Sequence, residues 1–379
     1  MDLCWRYGWP VTTFIIKKIT IMAILTEPIG SIPRPVELVE GLKAFSTEAI
    51  GADELNVLFD RALKDTIKRF EATGSPVITD GEQTKPSFAT YPINGLALDP
   101  GGVVIPFADG HTRQLPVLTA GPFRYQTYAG DYVNKAVTLT SLPVKQAVIS
   151  ASALSLLYPS TGIEGYSNEA FVADLTNEHE KDIRYCLAAG AYNVQIDFTE
   201  ARLSLKLDPS KGLLRSFIAL NNQVLNRLDP SARQKVGIHS CPGGDHDSTH
   251  SADIPYSELL PLLFELNATN FYLEYAGEKD KVGVLEVIKD SLRPGQRVFL
   301  GVTDVLNPRV ESAGEIRDLI LEAAGYIPLS QLATTDDCGF SPFADDLSTS
   351  RDIAFEKIRA RVEGTRLAEK ALEKTQMAI

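Results

Sequence analysis

At 379 residues, 44% hydrophobic and 23% charged, with mean hydropathy −0.04, the chain has the composition of a soluble globular protein of one large or two ordinary domains. A net charge of −12 and a pI near 5.0 exclude sequence-independent nucleic-acid binding, which needs Lys and Arg against phosphates, and give no attraction to an anionic membrane. Four cysteines (Cys4, Cys186, Cys241 and Cys338) are too few for a disulfide framework at this length, which points to a reducing, cytoplasmic compartment.

The first 21 residues stand apart. They carry Trp5, Trp9 and an apolar run at 11–16, followed by Lys17 and Lys18. The run is too short to span a bilayer, its charges fall on the wrong side for a signal peptide, and no small-residue cleavage site follows. Residues 1–21 therefore read as a poorly ordered extension, with Met22 an alternative start, and residues 22–379 as a single catalytic domain.

From Met22 onward, short β-rich runs alternate with amphipathic helical stretches. The strand candidates are 23–29, 77–80, 136–140, 193–197, 235–240, 270–274, 297–302 and 331–334. Helical spacing marks 53–72, 168–189, 213–228, 257–266, 283–291 and 315–324, the first opening on Asp53 as a cap. Cys186, inside an apolar helical run, reads as a small core residue. Eight strands alternating with helices predict an α/β fold of the (β/α)8 TIM-barrel type. A doubly wound open sheet is the runner-up, but no Gly-x-Gly-x-x-Gly follows the first strand. The stretch 91–130, rich in Gly, Pro and aromatics, breaks the rhythm and reads as an inserted hairpin or lid.

A barrel of this kind places its active site at the C-terminal ends of the strands. Those ends carry Ser31, Asp80 and Glu82, Asp197, His239 and Cys241, Glu274, Asp304, and finally Asp336, Asp337 and Cys338. His239 and Cys241 lie two apart at a strand end, so an imidazole and a thiol point to the same side. That is half of a tetrahedral Zn²⁺ site, which takes Cys sulfur and His nitrogen. Glu274 and Cys338, from two other strand ends, complete a four-ligand set. The competing readings are that Cys338, before a glycine, is a packing residue and that Glu274 pairs with an arginine. His246 and His250 read as polar loop residues. Arg309, beside Pro308, is either a clamp for an anionic substrate group or one half of a surface ion pair.

The motifs "TEPIGSIPRP", "TDGEQTKPSF", "VQIDF", "GIHSC", "FYLEY", "GVTDVLNPRVES" and "TTDDCGFSPF" occur in order between about Thr26 and Arg366. Together they resemble the C-terminal catalytic barrel of cobalamin-independent methionine synthase and its short single-barrel relatives. The resemblance implies Zn²⁺ held by His239, Cys241, Glu274 and Cys338, with Ser31, Glu82 and Asp197 around the carboxylate and amino groups of an amino-acid thiol. It implies transfer of a methyl group to homocysteine, from a donor such as a methylated folate. The physical logic is that a thiol with its usual pKa of about 8.5 is mostly protonated at neutral pH and becomes a thiolate on Zn²⁺.

Two positions depart from the family pattern. The string Asp304-Val-Leu306-Asn307-Pro308 has a leucine where the family carries the histidine that serves the donor's leaving group. Both tryptophans lie in the extension, so the pterin-stacking Trp has no counterpart within 136–152. Asp304 or Asp337 would then supply the acid. These departures put a folate donor in doubt and favour a runner-up reaction on the same barrel: zinc-dependent addition of a thiol such as coenzyme M to an epoxide, or epoxide opening in secondary metabolism. The expected partners are a small thiol and an alkyl donor. The sequence leaves open whether the chain forms a homo-oligomer.

Overall fold

A computed structural model describes residues 23–377. The expectations for residues 1–21 and for Met22 lie outside the described residues.

Strands Lys145–Ile149, Asn193–Asp197, Val236–Ser240, Asn270–Leu273, Arg297–Gly301 and Leu332–Thr335 pair in chain order, all parallel. Two shorter segments complete the ring. Thr26 bridges Thr334 and Ile78 bridges Val144, both in parallel sense. Between those two segments, Thr79 Oγ1 donates to Gly30 O at 2.8 Å and Ile32 N to Gly81 O at 3.1 Å. Eight positions thus encircle a lumen, the (β/α)8 barrel that the alternation predicts.

The strand sequences suit this setting because both faces are covered. Every residue of 145–149, 193–197 and 236–240 is buried. Val194, Ile196, Val236, Ile238, Phe271, Leu273, Val298 and Leu300 pack in the main core with the helices. Their alternates face the lumen, where Ile29, Tyr272, Phe299 and Ala333 form a separate cluster. Gly237 makes room there: a Cβ at that position would lie 2.5 Å from the Tyr272 ring.

The lumen also holds charge. Lys145 Nζ donates to Gln195 Oε1 at 2.8 Å and lies 4.0 Å from the Tyr272 ring centroid and 3.9 Å from Glu27. Glu27 in turn accepts from Asn193 Nδ2 at 2.9 Å and Tyr272 OH at 2.6 Å. Burial pulls the Lys145 ammonium down to about 8 against the opposing pull of Glu27.

The helices Ala52–Ala72, Asn168–Ala188, Gly212–Leu225, Tyr256–Leu263, Lys281–Ser291 and Ala313–Ala323 fall within a few residues of expectation. Ser312 and Glu315 form a capping box on the last of these, and Ser167 Oγ caps Asn168–Ala188. Asp53 is not a cap: Gly51 takes that place, Glu54 reaches back to its N–H at 3.2 Å, and Asp53 sits in the first turn. The expected third strand at 136–140 is corrected. Ala136 ends the helix Ala129–Ala136, and the strand begins at Lys145. Among the described residues no helix is long and apolar enough to cross a membrane.

The insertion at 91–130 contains two small antiparallel pairings, Leu98–Asp99 with Val117–Leu118 and Val104–Pro106 with Thr112–Gln114. The second hairpin folds over the C-terminal mouth. Arg113 holds it there with forked hydrogen bonds to Asp245 (2.6 and 3.2 Å) and Asp345 (3.1 and 3.0 Å).

Candidate active site and metal centre

Strand Val236–Ser240 presents His239 to the lumen and leads directly into Cys241, while Cys338 follows the strand Leu332–Thr335. One ligand atom from each of His239, Cys241 and Cys338 lies within 4.8 Å of the other two. His239 Nδ1 is 3.2 Å from Tyr272 O, which fixes the ring, and its buried Nε2 has no hydrogen-bond partner. The two sulfurs are 3.0 Å apart, and Gly243 N donates to Cys241 Sγ at 3.4 Å. The hydrogen bond from Cys241, with the His239 ring beside it, outweighs burial and pulls Cys338 well below the usual thiol range. The same contact with Cys338, together with burial, pushes Cys241 well above it. Burial alone would lower His239, but its contact with Cys338 and the charge of Asp197 raise it. Two thiols this close cannot both ionise unless a cation lies between them. The donor set, the lone-pair nitrogen without a partner and this shared proton fit a thiophilic cation such as Zn²⁺.

Glu274 stands beside this group rather than in it. Its carboxylate accepts from Arg202 Nη1 at 3.2 Å, and the same nitrogen bonds Glu278 at 2.6 Å. Burial first and the Asp337 charge second raise Glu274 well above the carboxylate range. Glu274 shares a small cavity of about 250 Å³ with Asp304, Leu306, Asp337 and Cys338.

Asp337 is buried and receives three backbone N–H groups, from Tyr275 (3.0 Å), Ala276 (2.9 Å) and Gly277 (2.6 Å). Burial still raises it to about 8. Asp304 Oδ1 accepts from Leu306 N at 3.0 Å, and Asp304 N donates to Glu311 at 2.9 Å.

Cys338 also borders a second cavity, of about 870 Å³ when its open mouth is included. Ser31, Glu82, Asp197 and His239 all line it. Asp197 ends its strand with Oδ1 bonded to Gln195 Nε2 at 2.8 Å, and burial raises it to about 6. Glu82 follows Gly81 in a left-handed turn, with φ of 66° and 56° at the two residues. A non-glycine residue held there costs about 1–3 kcal/mol, which the surroundings must supply. Asp80 Oδ1 accepts from Glu82 N at 2.9 Å, Arg34 Nη2 donates to Glu82 O at 2.8 Å, and Lys85 Nζ donates to Glu82 Oε1 at 2.9 Å. Ser31 Oγ accepts from Ser341 N at 3.2 Å, and a Cβ on Gly339 would strike it.

Glu200, Gln195, Thr199, Arg113 and His250 also line this cavity, and much of the rest of the wall is apolar. The apolar part includes Ile105, Phe107 and Leu115 from the inserted hairpin, with Phe88, Leu203 and Phe343 opposite.

The structure does not bring Arg309 to the mouth. Its side chain is 60% exposed and pairs with Glu315 at 3.0 Å, so the substrate-clamp reading gives way to the surface ion pair. His246 and His250 lie outside the His–Cys–Cys group: His250 is buried at the edge of Phe107, and His246 is half-exposed near Asp346. Sequence reasoning missed Lys85, Arg202 and Glu200, all buried at the mouth. Each sits within five residues of a residue already singled out, and that proximity was the available signal.

A family model described as "Cobalamin-independent synthase, Catalytic domain" matches residues 24–351. The chain is 24% identical over 372 residues to a methionine synthase of Pyrococcus furiosus, covering 92% of this chain and 94% of that one. It is 22% identical over 326 residues to a 5-methyltetrahydropteroyltriglutamate–homocysteine methyltransferase of Buchnera aphidicola, covering 85% of this chain but 41% of the relative. A B12-independent methionine synthase from Shewanella sp. W3-18-1, solved with selenomethionine, superposes with a TM-score of 0.73 at 20% identity, covering 93% of this chain and 100% of that one. A putative vitamin-B12-independent methionine synthase from Listeria monocytogenes gives 0.65 at 22% identity, with 92% and 98% covered. These two likenesses carry the fold. With the family model spanning most of the barrel, the chain belongs to the catalytic-domain family of the cobalamin-independent synthases.

Proposed function

We propose that this barrel transfers a methyl group to the thiol of homocysteine, the activity in the name of the Buchnera relative, and that residues 22–379 act as one catalytic unit. The observation that carries the reading is the His239–Cys241–Cys338 group, with its unpartnered Nε2, at the edge of a cavity also lined by Ser31, Glu82 and Asp197. His239, Cys241 and Cys338 would hold Zn²⁺, with Glu274 as the fourth ligand once it is released from Arg202. When bound, that ion makes the substrate thiol a thiolate at neutral pH.

The protein's own groups do the rest. Asp197 and Glu82 receive the substrate ammonium, and Lys85 keeps Glu82 oriented through its 2.9 Å contact. Ser31 meets the substrate carboxylate beside Gly339. The apolar wall excludes water and holds the methyl carbon in line with the sulfur, which is positioning catalysis. Asp304 and Asp337 face the small cavity, where Asp337 fixes the 275–277 turn next to Glu274.

Metal analysis of the purified chain, with homocysteine titrated and released protons followed, tests this reading. The expected result is about one zinc per chain and one proton per thiol bound. A protein free of zinc, or one whose zinc ignores the thiol, overturns it.

A further inference from the structure

Glu200 opens the helix Glu200–Leu207, three residues beyond Asp197, and lines the large cavity together with Cys338 and His239. Its side chain is asymmetrically bonded. Oε1 accepts from Ser150 Oγ and Ser152 Oγ, both at 2.5 Å, and Asn221 Nδ2 steadies Ser152 Oγ at 2.7 Å. Oε2 is buried and has no partner among the described residues. The third strand and its following turn contribute only hydroxyls to this carboxyl, and the helix Gly212–Leu225 only the Asn221 amide. The charged group that bears on it is Asp197, of like sign; Arg202, two residues on, is turned to Glu274 and Glu278. Among the described residues no cation pairs with Glu200. Burial first, with Asp197 adding to it, raises the carboxyl to about 7 despite the two serine hydroxyls.

We propose that Glu200 is the proton donor to the leaving atom of the methyl donor, which is a neutral tertiary amine bound in the large cavity. This rests on the methyl-transfer reading above. With Oε1 occupied by two hydroxyl donors, the proton resides on Oε2, the buried and unpartnered oxygen of a residue that lines the cavity. The substrate thiolate sulfur attacks the methyl carbon and forms the S–C bond. The C–N bond breaks, its electron pair stays on nitrogen, and that nitrogen takes the Oε2 proton. Glu200 is left as a carboxylate and regains one proton from solvent, which balances the proton the thiol gave up. The alternative acids sit elsewhere: Asp304 and Asp337 line the small cavity and not the large one.

The test uses the zinc-loaded full chain and Glu200→Gln, which keeps an acceptor for both serines and removes the acid. Infrared difference spectra of wild type minus variant should show a protonated-carboxyl band that fades as pH rises through about 7. Single-turnover methylation of homocysteine is then followed with two probes. 5-Methyltetrahydropteroyltriglutamate has an amine leaving group that needs a proton; methyl iodide has one that does not. Glu200→Gln should lose about 10²- to 10⁴-fold with the first and under twofold with the second, and the wild-type rate with the first should fall above about pH 7. Absence of the band, an equal loss with both probes, or no loss with either overturns the assignment. A wild-type protein that methylates with iodide but not with the pteroyl compound sinks the reading of the reaction instead, and the band still decides whether Oε2 carries the proton.

Discussion

The floor and the mouth of the lumen are both lined by buried polar side chains, yet they treat them differently. On the floor, Glu27, Lys145, Asn193, Gln195 and Tyr272 satisfy one another through hydrogen bonds of 2.6–2.9 Å. At the mouth, His239 Nε2 and Asp80 Oδ2 are buried without partners, as is Glu200 Oε2 just beyond a strand end. A buried polar group left unpaired costs about 1–3 kcal/mol. The five floor residues avoid that cost; His239, Asp80 and Glu200 carry it.

The sharpest way to break the comparison is Cys338→Ser. Zinc content should fall close to zero and methyl transfer with it, while circular dichroism stays that of the wild type; an active, metal-free variant would remove the site assignment. On the floor the loss should be of stability instead. Lys145→Met leaves Glu27 buried without its cation and should cost about 3–5 kcal/mol in urea unfolding, with zinc content per folded chain unchanged. A variant as stable as wild type would show that the lysine contributes nothing net. Asp197→Asn sits between the two regions: it retains the Gln195 contact, so its fold should hold. Homocysteine binding measured by calorimetry should weaken about tenfold through loss of a charged hydrogen bond, and unaltered affinity would detach Asp197 from the substrate. Smallest is Arg309→Ala, expected to change unfolding free energy by less than about 0.5 kcal/mol and leave turnover alone, because its side chain pairs with Glu315, which is itself exposed.

The sequence told most where hydrophobic period and strand-end chemistry agreed. Strands four to eight and six helices stand within a few residues of where alternation puts them, and His239 and Cys241 emerge together because they follow one strand. The third strand was misread because it opens on Lys145, whose charge suggests solvent, whereas its ammonium lies in the lumen against Tyr272. The first and second strands look like full elements in sequence but pair at a single bridge each, since closing the barrel leaves them only short edges. The helix Arg351–Met377 escaped notice altogether: its residues are largely charged, and some of the charges are buried, as in Lys357–Glu311 and Arg361–Asp336, with partners 46 and 25 residues away. Glu274 shows the same limit. That it faces Arg202 is a contact 72 residues apart, which no local pattern encodes.

The hairpin of 104–114 gives the apolar cavity Ile105 and Phe107, yet it belongs to none of the eight barrel strands and is tied down chiefly through Arg113. The hairpin residues that line the cavity are therefore physically separable from the His239–Cys241–Cys338 group. Exchanging this ribbon for one of another length or composition, with Arg113 and its two aspartates retained, would reshape the cavity while the His239–Cys241–Cys338 group stays untouched. Within one molecule, reactivity and selectivity can drift independently.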